Sequence, residues 1–343
     1  MRDHFPLLNQ TLYFNTAYVG LPSRDFMSFR STFDHCYLEE GDHFKIKGYE
    51  RLAEQREIVA SFIGSQGTHT FLTPNFSIGL RFFLDFLPSH TRFLTLKEDY
   101  PSLENAIRER GFALSSLPIS IDVEDQIEAA LAETTYEVLA LSMVQYTSGI
   151  MIDAEALHRI KKRFPDLLII ADGTQCIGAE PFDFATAPFD LVAASGYKWL
   201  LAGFGNGFVT VGQRFLDYVD RSLESVEAKV YTGHFDFLGA ASLAYAVTQL
   251  QAWNYPSLLL EKNKVAHALR QGLAARGLLS PEVTQRKNHA AIYNIPGSEA
   301  FQQRVLHAGI RCSYRGEGIR LSVHFYNTEE DCQRFFTVYD QLV

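Results

Sequence analysis

Apolar positions recur along the chain with two periods, and the alternation of those periods organises it. From Glu50 to Ile63 the apolar residues Leu52, Ile58, Val59 and Phe62 follow helical spacing. Ser77 to Leu87 reads as a second helix, apolar on most of its circumference with Phe82, Phe83, Leu84 and Phe86. Such a helix must be covered on most sides. Further helices are predicted over Ser102 to Arg110, Val123 to Ala132 and Ala154 to Phe164, the last closed by Pro165. Thr91 to Leu96, Val138 to Ser142, Leu167 to Ala171, Leu191 to Ala194 and Phe208 to Val211 are short apolar runs bounded by polar or glycine residues. Strands buried on both faces have this pattern. The alternation predicts an α/β fold, a mostly parallel sheet with helices on both faces.

After about residue 240 the pattern changes. Ala240 to Trp253 and Leu258 to Arg276 read as long helices. A strand (Ala290 to Ile295), a helix (Ser298 to Ala308), a strand (Gly318 to Val323) and a helix (Glu329 to Leu342) follow. Fewer strands, separated by helices, predict a smaller α+β domain. A chain of 343 residues has room for about two domains. The division read here is an N-terminal segment over residues 1–20, a large domain over 21–240 and a small C-terminal domain over 241–343, with a long helix bridging the two.

Composition narrows the function. With 47% hydrophobic and 21% charged residues, wholesale disorder is excluded. A net charge of −9 argues against sequence-independent binding to nucleic acid, which needs a basic face. No apolar run approaches the roughly 20 residues of a membrane span, and the opening Met-Arg-Asp-His-Phe-Pro forms no signal-peptide core. Cys36, Cys176, Cys312 and Cys332 are scattered, without metal-ligand or disulfide-framework spacing. The expectation is a cytoplasmic protein with neither a nucleic-acid nor a membrane partner and no metal.

Ligands of open parallel sheets bind beyond the carboxyl ends of the strands. Asp172 follows the run ending at Ala171, and Ser195, Gly196, Tyr197 and Lys198 follow the run ending at Ala194. Either Asp172 or Lys198 alone reads equally as a cap or a solvated side chain. The stretch Ala171-Asp-Gly-Thr-Gln175, then Ser195-Gly-Tyr-Lys198-Trp199, resembles the cofactor signature of the class V aminotransferases. These are fold-type I pyridoxal phosphate enzymes that include cysteine desulfurases and isopenicillin N epimerase. The resemblance implies a fold-type I large domain and pyridoxal 5'-phosphate as cofactor. It implies that Lys198 forms the Schiff base, that Asp172 pairs with the ring nitrogen and that Gln175 hydrogen-bonds the ring oxygen. The chemistry is coherent. A lysine amine at a desolvated site loses basicity, and a carboxylate beside a pyridine nitrogen favours its proton.

The resemblance extends from about residue 12 to residue 332. Ser195 and Tyr197 stand where the family places phosphate donors. Asn75 and Phe76 open the helix from Ser77, where free N–H groups and the helix dipole suit an anion; plain N-capping explains Asn75 equally. Glu98-Asp-Tyr100-Pro-Ser102 matches the segment whose aromatic residue stacks on the cofactor, so Tyr100 replaces the histidine of desulfurases. Gln145, in Ser142-Met-Val-Gln145-Tyr146, matches a strand end that contacts the ring. Gly318-Ile-Arg320-Leu-Ser322 and the following Tyr326-Asn-Thr328 match the small-domain motif, which implies that Arg320 grips the substrate α-carboxylate. Tyr326-Asn327-Thr328 also reads as a turn and helix cap. Asn15 lies in Leu12-Tyr-Phe-Asn15-Thr16-Ala17, similar to the family's opening segment over the substrate. His234 falls where the family often has a Thr that reaches the phosphate of a neighbouring subunit, and a homodimer is implied.

Two further features are set aside. Gly203-Phe-Gly205-Asn-Gly207 fails the dinucleotide fingerprint and reads as a tight turn. Lys161-Lys162-Arg163 reads as a solvated helix end. A desulfurase needs a reactive loop cysteine, yet Cys312 precedes Arg320 closely and reads as an inert thiol on or beside a strand. Transamination between an amino acid and a keto acid is therefore the reaction expected, with Lys198, Asp172 and Tyr100 as the catalytic residues. Epimerisation, elimination and cysteine or selenocysteine desulfurase-like lysis share its first steps and stay open, as does a family member that binds the cofactor without catalysis.

Overall fold

The computed structural model describes all 343 residues. Its elements run β1 (Leu12–Tyr13), α1 (Arg24–Glu40), α2 (Asp42–Phe62), β2 (Thr70–Thr73), α3 (Phe76–Leu84), β3 (Arg92–Leu96), α4 (Pro101–Arg108), β4 (Ala113–Leu117), α5 (Val123–Glu133), β5 (Val138–Ser142), α6 (Ala154–Arg163), β6 (Leu168–Asp172), β7 (Leu191–Ser195) and β8 (Gly207–Val211). There follow α7 (Gln213–Val219), α8 (Leu223–Val230), α9 (Phe237–Ala252), α10 (Tyr255–Ala275), α11 (Pro281–Gln285), β9 (Ile292–Pro296), α12 (Glu299–His307), β10 (Ile310–Arg311), β11 (Ser313–Arg315), β12 (Gly318–Ser322) and α13 (Glu329–Leu342).

Seven strands form one sheet in the order β2-β8-β7-β6-β5-β3-β4, with only β8 running against the rest. The runs read as doubly buried strands are its centre, and every residue of β5, β6 and β7 is buried. Alternate side chains enter different cores: Leu168 and Ile170 of β6 face one, while Ile169 faces the other. Cutting one of them to alanine costs about 2–5 kcal/mol. The chain passes from β3 outward to β4 and then returns to β5 on the other side of β3. The crevice at that reversal, beyond the carboxyl ends, is where such sheets bind ligands.

A three-stranded antiparallel sheet, β11-β12-β9, forms the C-terminal region with α10, α12 and α13. Thr328 caps α13, and Asp331 closes the capping box, as the turn-and-cap reading expects. The N-terminal segment joins this region. β1 pairs in parallel with β10, and Asn15 bridges to Ser322. Residues 12–15 therefore join the C-terminal region, and, as shown below, Ala17 and Gly20 just beyond them hold the lysine loop.

Several elements carry no legible sequence period. α1 buries only Phe26, so no apolar stripe marks it. β4 is a half-exposed edge strand with two serines. Part of the apolar surplus of α3 is covered within the same chain by β2, α7 and α8: Phe83 packs on Phe71 and Phe215, and the Lys229 ammonium lies over the Phe86 ring. Phe82 and Phe86 stay only partly buried. Lys161 also departs from the solvated reading, because its ammonium bonds the buried Asp190 carboxylate at 2.7 Å. No helix is long and apolar enough to cross a membrane.

Candidate active site

Ser142 and Asp172, at the carboxyl ends of β5 and β6, lie level with one another and with Ala193 in the middle of β7. Asp99, three residues beyond β3, crosses the switch point. Its buried carboxylate accepts the backbone N–H groups of Tyr100 at 2.6 Å and Ser142 at 2.8 Å. Burial raises the Asp99 carboxyl above its ordinary range, and these hydrogen bonds oppose the rise. Asp99 thus fixes the loop that presents Tyr100. The backbone at Glu98 has φ 61, a left-handed conformation that costs a non-glycine residue roughly 1–3 kcal/mol.

Asp172 is buried, and its Oδ1 accepts the Thr174 N–H at 2.8 Å. Burial pushes its carboxyl up to about 6, against the pull of Thr174 and of Lys198. Lys198 is buried as well, and its Nζ stands 5.6 Å from the Tyr100 ring centroid and 5.5 Å from that of Tyr197. Burial lowers its ammonium to about 8; Asp172 opposes this, and the Arg320 and Arg315 charges reinforce it. The turn holding Lys198 is clamped from three sides. Leu201 takes a left-handed φ of 58, and the Tyr197 carbonyl accepts Gly20 N–H at 2.9 Å. A Cβ on Gly20 would lie 1.9 Å from the Lys198 carbonyl oxygen, so only glycine fits there. Behind the turn, His324 Nε2 meets the Trp199 carbonyl oxygen at 3.0 Å.

The depressed lysine has a measurable consequence. Between about pH 8 and 10.5 the folded protein carries neutral Lys198, while the unfolded chain still binds that proton. The unfolded state then holds more protons, so this residue's penalty is full below about 8 and disappears as pH rises through that window. In cofactor-free protein, the stability gap between Lys198→Met and the parent, followed by urea midpoints, should narrow from pH 7.5 to 10. A gap independent of pH would show that the amine titrates normally.

At the crevice's other end, Ser195 Oγ accepts the Phe76 N–H at 2.9 Å, at the start of α3. Asn75 is the N-cap, and its Oδ1 accepts the Ile78 N–H at 2.9 Å. The plain capping role is therefore real, and only its amide nitrogen stays free. The Tyr197 ring stacks on Phe204 at 5.4 Å between centroids. Tyr100 meets Tyr146 edge-on at 5.6 Å and Phe76 at 6.1 Å. Gln145 is buried, and neither atom of its side-chain amide has a hydrogen-bond partner.

Arg320 reaches this space from β12. Its Nη1 donates to the Tyr146 carbonyl at 2.6 Å, and its Nε is buried without a partner. Burial, helped by Arg315, lowers the guanidinium to about 10. Lys198, Asp172, Tyr100, Tyr197 and Arg320 therefore share one crevice, with Ser195, Phe76 and Asn75 at its end.

Three expected site residues are engaged elsewhere. Gln175 Nε2 donates to the Ala17 carbonyl at 2.9 Å, and its Oε1 accepts from the Trp199 indole at 2.7 Å. Its amide ties the N-terminal segment to the lysine turn, and a ring oxygen would have to share it. Asn15 Oδ1 accepts from Ser313 Oγ at 2.5 Å and so holds β11 rather than the crevice. His234 is exposed and meets the Tyr49 hydroxyl at 3.4 Å, beside a separate cleft of about 240 Å³ lined by Thr73, Gly207 and Tyr231. Asp99, Thr174, Tyr18 and Arg315 were not singled out from the sequence, and Tyr146 stood only as the alternative to Gln145 at the ring. Asp99 was legible in principle, being the acid just before Tyr100; the others depend on backbone contacts or register.

The Aminotransferase class-V family model matches residues 40–335. The chain is 22% identical to a probable cysteine desulfurase of Pyrococcus abyssi, over 100% of this chain and 97% of that protein. It is 34% identical to the isopenicillin N epimerase of Amycolatopsis lactamdurans, over 29% of this chain and 25% of that one. Among solved structures, a mutant of C-DES with glycine covalently linked to its PLP cofactor superposes with a TM-score of 0.89, at 16% identity and over 99% of each chain.

Proposed function

Because this chain belongs to the class V aminotransferase family, we propose that it is a pyridoxal 5'-phosphate-dependent enzyme that transaminates an amino acid. The observation that carries the reading is the pairing of a buried lysine of lowered basicity with a buried acid on adjacent strand ends, opposite an arginine whose Nε has no partner. The residues fit the cofactor. Asp172 is a buried carboxylate without an ion-pair partner, suited to a protonated ring nitrogen. Ser195 and the dipole end of α3 suit the phosphate, which would share the Phe76 and Ile78 N–H groups with Ser195 and Asn75. Tyr100 offers a ring face, and the unpartnered Gln145 amide needs a polar ligand.

When bound, the cofactor supplies an electrophilic carbonyl and a ring that accepts the electrons released at the substrate α-carbon. The chain supplies the rest. Lys198 Nζ takes up the proton released at the substrate α-carbon and would deliver it to the cofactor's former carbonyl carbon, and its lowered pKa of about 8 keeps a useful fraction unprotonated near neutrality. Arg320 orients the α-carboxylate through its Nε edge. Arg320→Lys should raise the KM for amino acids about 10- to 100-fold with cofactor content unchanged, as two-point recognition is lost. Cofactor loss at normal KM would assign the arginine to the phosphate or the fold instead.

Transamination is favoured over desulfuration because Cys312 is buried between β10 and β11, with its thiol pushed up to about 12 by burial. A thiol in that state is a poor nucleophile. The name of the Pyrococcus relative keeps sulfur chemistry as the rival. The deciding experiment mixes loaded enzyme with single amino acids and identifies the products. A keto acid formed in step with loss of the bound cofactor's absorbance supports transamination. Alanine from cysteine, with its sulfur released as sulfide in the presence of added dithiothreitol as reductant and without a keto acid, overturns it.

We also propose a cytosolic homodimer. Met27, Tyr37, Leu38, Ile46 and Tyr49 on α1 and α2 are exposed apolar side chains, Leu38 at 79%, and His234 lies beside Tyr49. Patches of this kind mark association surfaces. Light scattering at micromolar concentration should give twice the chain mass; the mass of a single chain would overturn the dimer.

A further inference from the structure

Register puts a second arginine beside Arg320. In the β11–β12 hairpin Ser313 is paired with Arg320, and Arg315 with Gly318. Paired residues share a face, as do residues two apart, so Arg315, Ser313 and Arg320 project from the same side. Arg315 is the diagonal neighbour of Arg320, with Cβ atoms roughly 7–8 Å apart. Gly318 opposite Arg315 adds no side chain to fill the space. The Arg315 guanidinium lies 5.1 Å from the Tyr18 ring centroid, and its one hydrogen bond runs from Nη1 to the neighbouring Tyr314 carbonyl. The remaining donors of its fork are free.

Neither arginine has an acidic partner. Elsewhere in the chain inward-lying arginines are neutralised: Arg286 by Glu124, Arg56 by Glu227 and Arg2 by Asp331. The hairpin face instead concentrates positive charge next to Lys198, and each arginine weakens the charged form of that amine. Like charges grouped on one face raise the free energy of the empty site and lower that of a doubly anionic ligand bound to it.

Resting on the reading of Arg320 as the α-carboxylate clamp, we propose that Arg315 is a specificity-determining residue that binds a second, distal carboxylate, so that the substrate is a dicarboxylic amino acid of about the length of aspartate or glutamate. Tyr18 holds the guanidinium plane by stacking, which leaves the fork to meet a carboxylate side-on.

The test is calorimetric binding of non-reacting acids to the cofactor-loaded protein: succinate and glutarate against butyrate and valerate. Dicarboxylates should bind about 10- to 100-fold more tightly than the monocarboxylates. Arg315→Gln should remove that preference by weakening the dicarboxylates alone, and Arg315→Lys should restore part of it. Arg315 is half-exposed, so neither change threatens the core. Absence of a preference in the parent protein, or a preference that survives Arg315→Gln, overturns the proposal. Arg320→Gln should weaken both classes of acid. If it weakens neither while Arg315→Gln still abolishes the preference, the α-carboxylate clamp has failed and the distal site has not.

Discussion

Lys198→Ala is expected to lower turnover by about 10⁴-fold and to abolish the covalent fixation of cofactor colour by borohydride. Both effects come from one atom. Nζ is the amine in reach of the crevice, between the Tyr100 and Tyr197 rings, and burial leaves it unprotonated far more often near neutrality than a solvated lysine. Ser195, the α3 terminus and Asp172 do not depend on it, so cofactor should still bind reversibly to the variant. Exogenous methylamine should restore part of the rate, because a small amine can occupy the space vacated by the side chain. Fixation at unchanged stoichiometry after reduction would place the attachment on another lysine. Lys262, the other buried lysine, is held by Glu180, which leaves it unsuited to the task.

Asp172→Ala is expected to reduce turnover by about 10³-fold while fixation to Lys198 persists, which separates an electrostatic role from an attachment role. Burial pushes the Asp172 carboxyl up to about 6, and a cation beside it stabilises its carboxylate form. A protonated ring nitrogen is such a cation, and the proton on that nitrogen depends on the carboxylate in return. Without the carboxylate the ring nitrogen loses its proton and accepts electrons less well. The test is single-turnover kinetics with an amino acid, alongside the spectrum of the bound cofactor at pH 7. A variant within a few-fold of the parent rate would remove Asp172 from the chemistry and leave it as the residue that orders Thr174.

These two residues were legible before the structure because strands buried on both faces are written as continuous apolar runs, and the first polar residue after each run marks a strand end. Asp172 and Ser195, the last residues of β6 and β7, are such marks, and Lys198 follows in the turn. Tyr100 and Arg320 were legible through motif resemblance, since neither has a period that sets it apart. α1 and β4 were not legible, because a helix with one buried residue and an edge strand open to water carry little apolar pattern.

The sequence by itself determined the sheet's central strands, the helices α2 to α6 between them, and the lysine–acid pair with its family. Those features are written in local order: burial on both faces demands apolar runs, and a short motif holds its own residues together. The tertiary structure alone decided what lies across from the lysine. Pairing residues 12–15 with residues 310–322 brings Asn15 to Ser313 and engages the Gln175 amide with Ala17. The register of β11 on β12 puts Arg315 on the face of Arg320. A shift of one residue would have sent Arg315 to the opposite face, and no local pattern encodes that choice, because register is set by pairing between distant segments and not by the order of residues within either one.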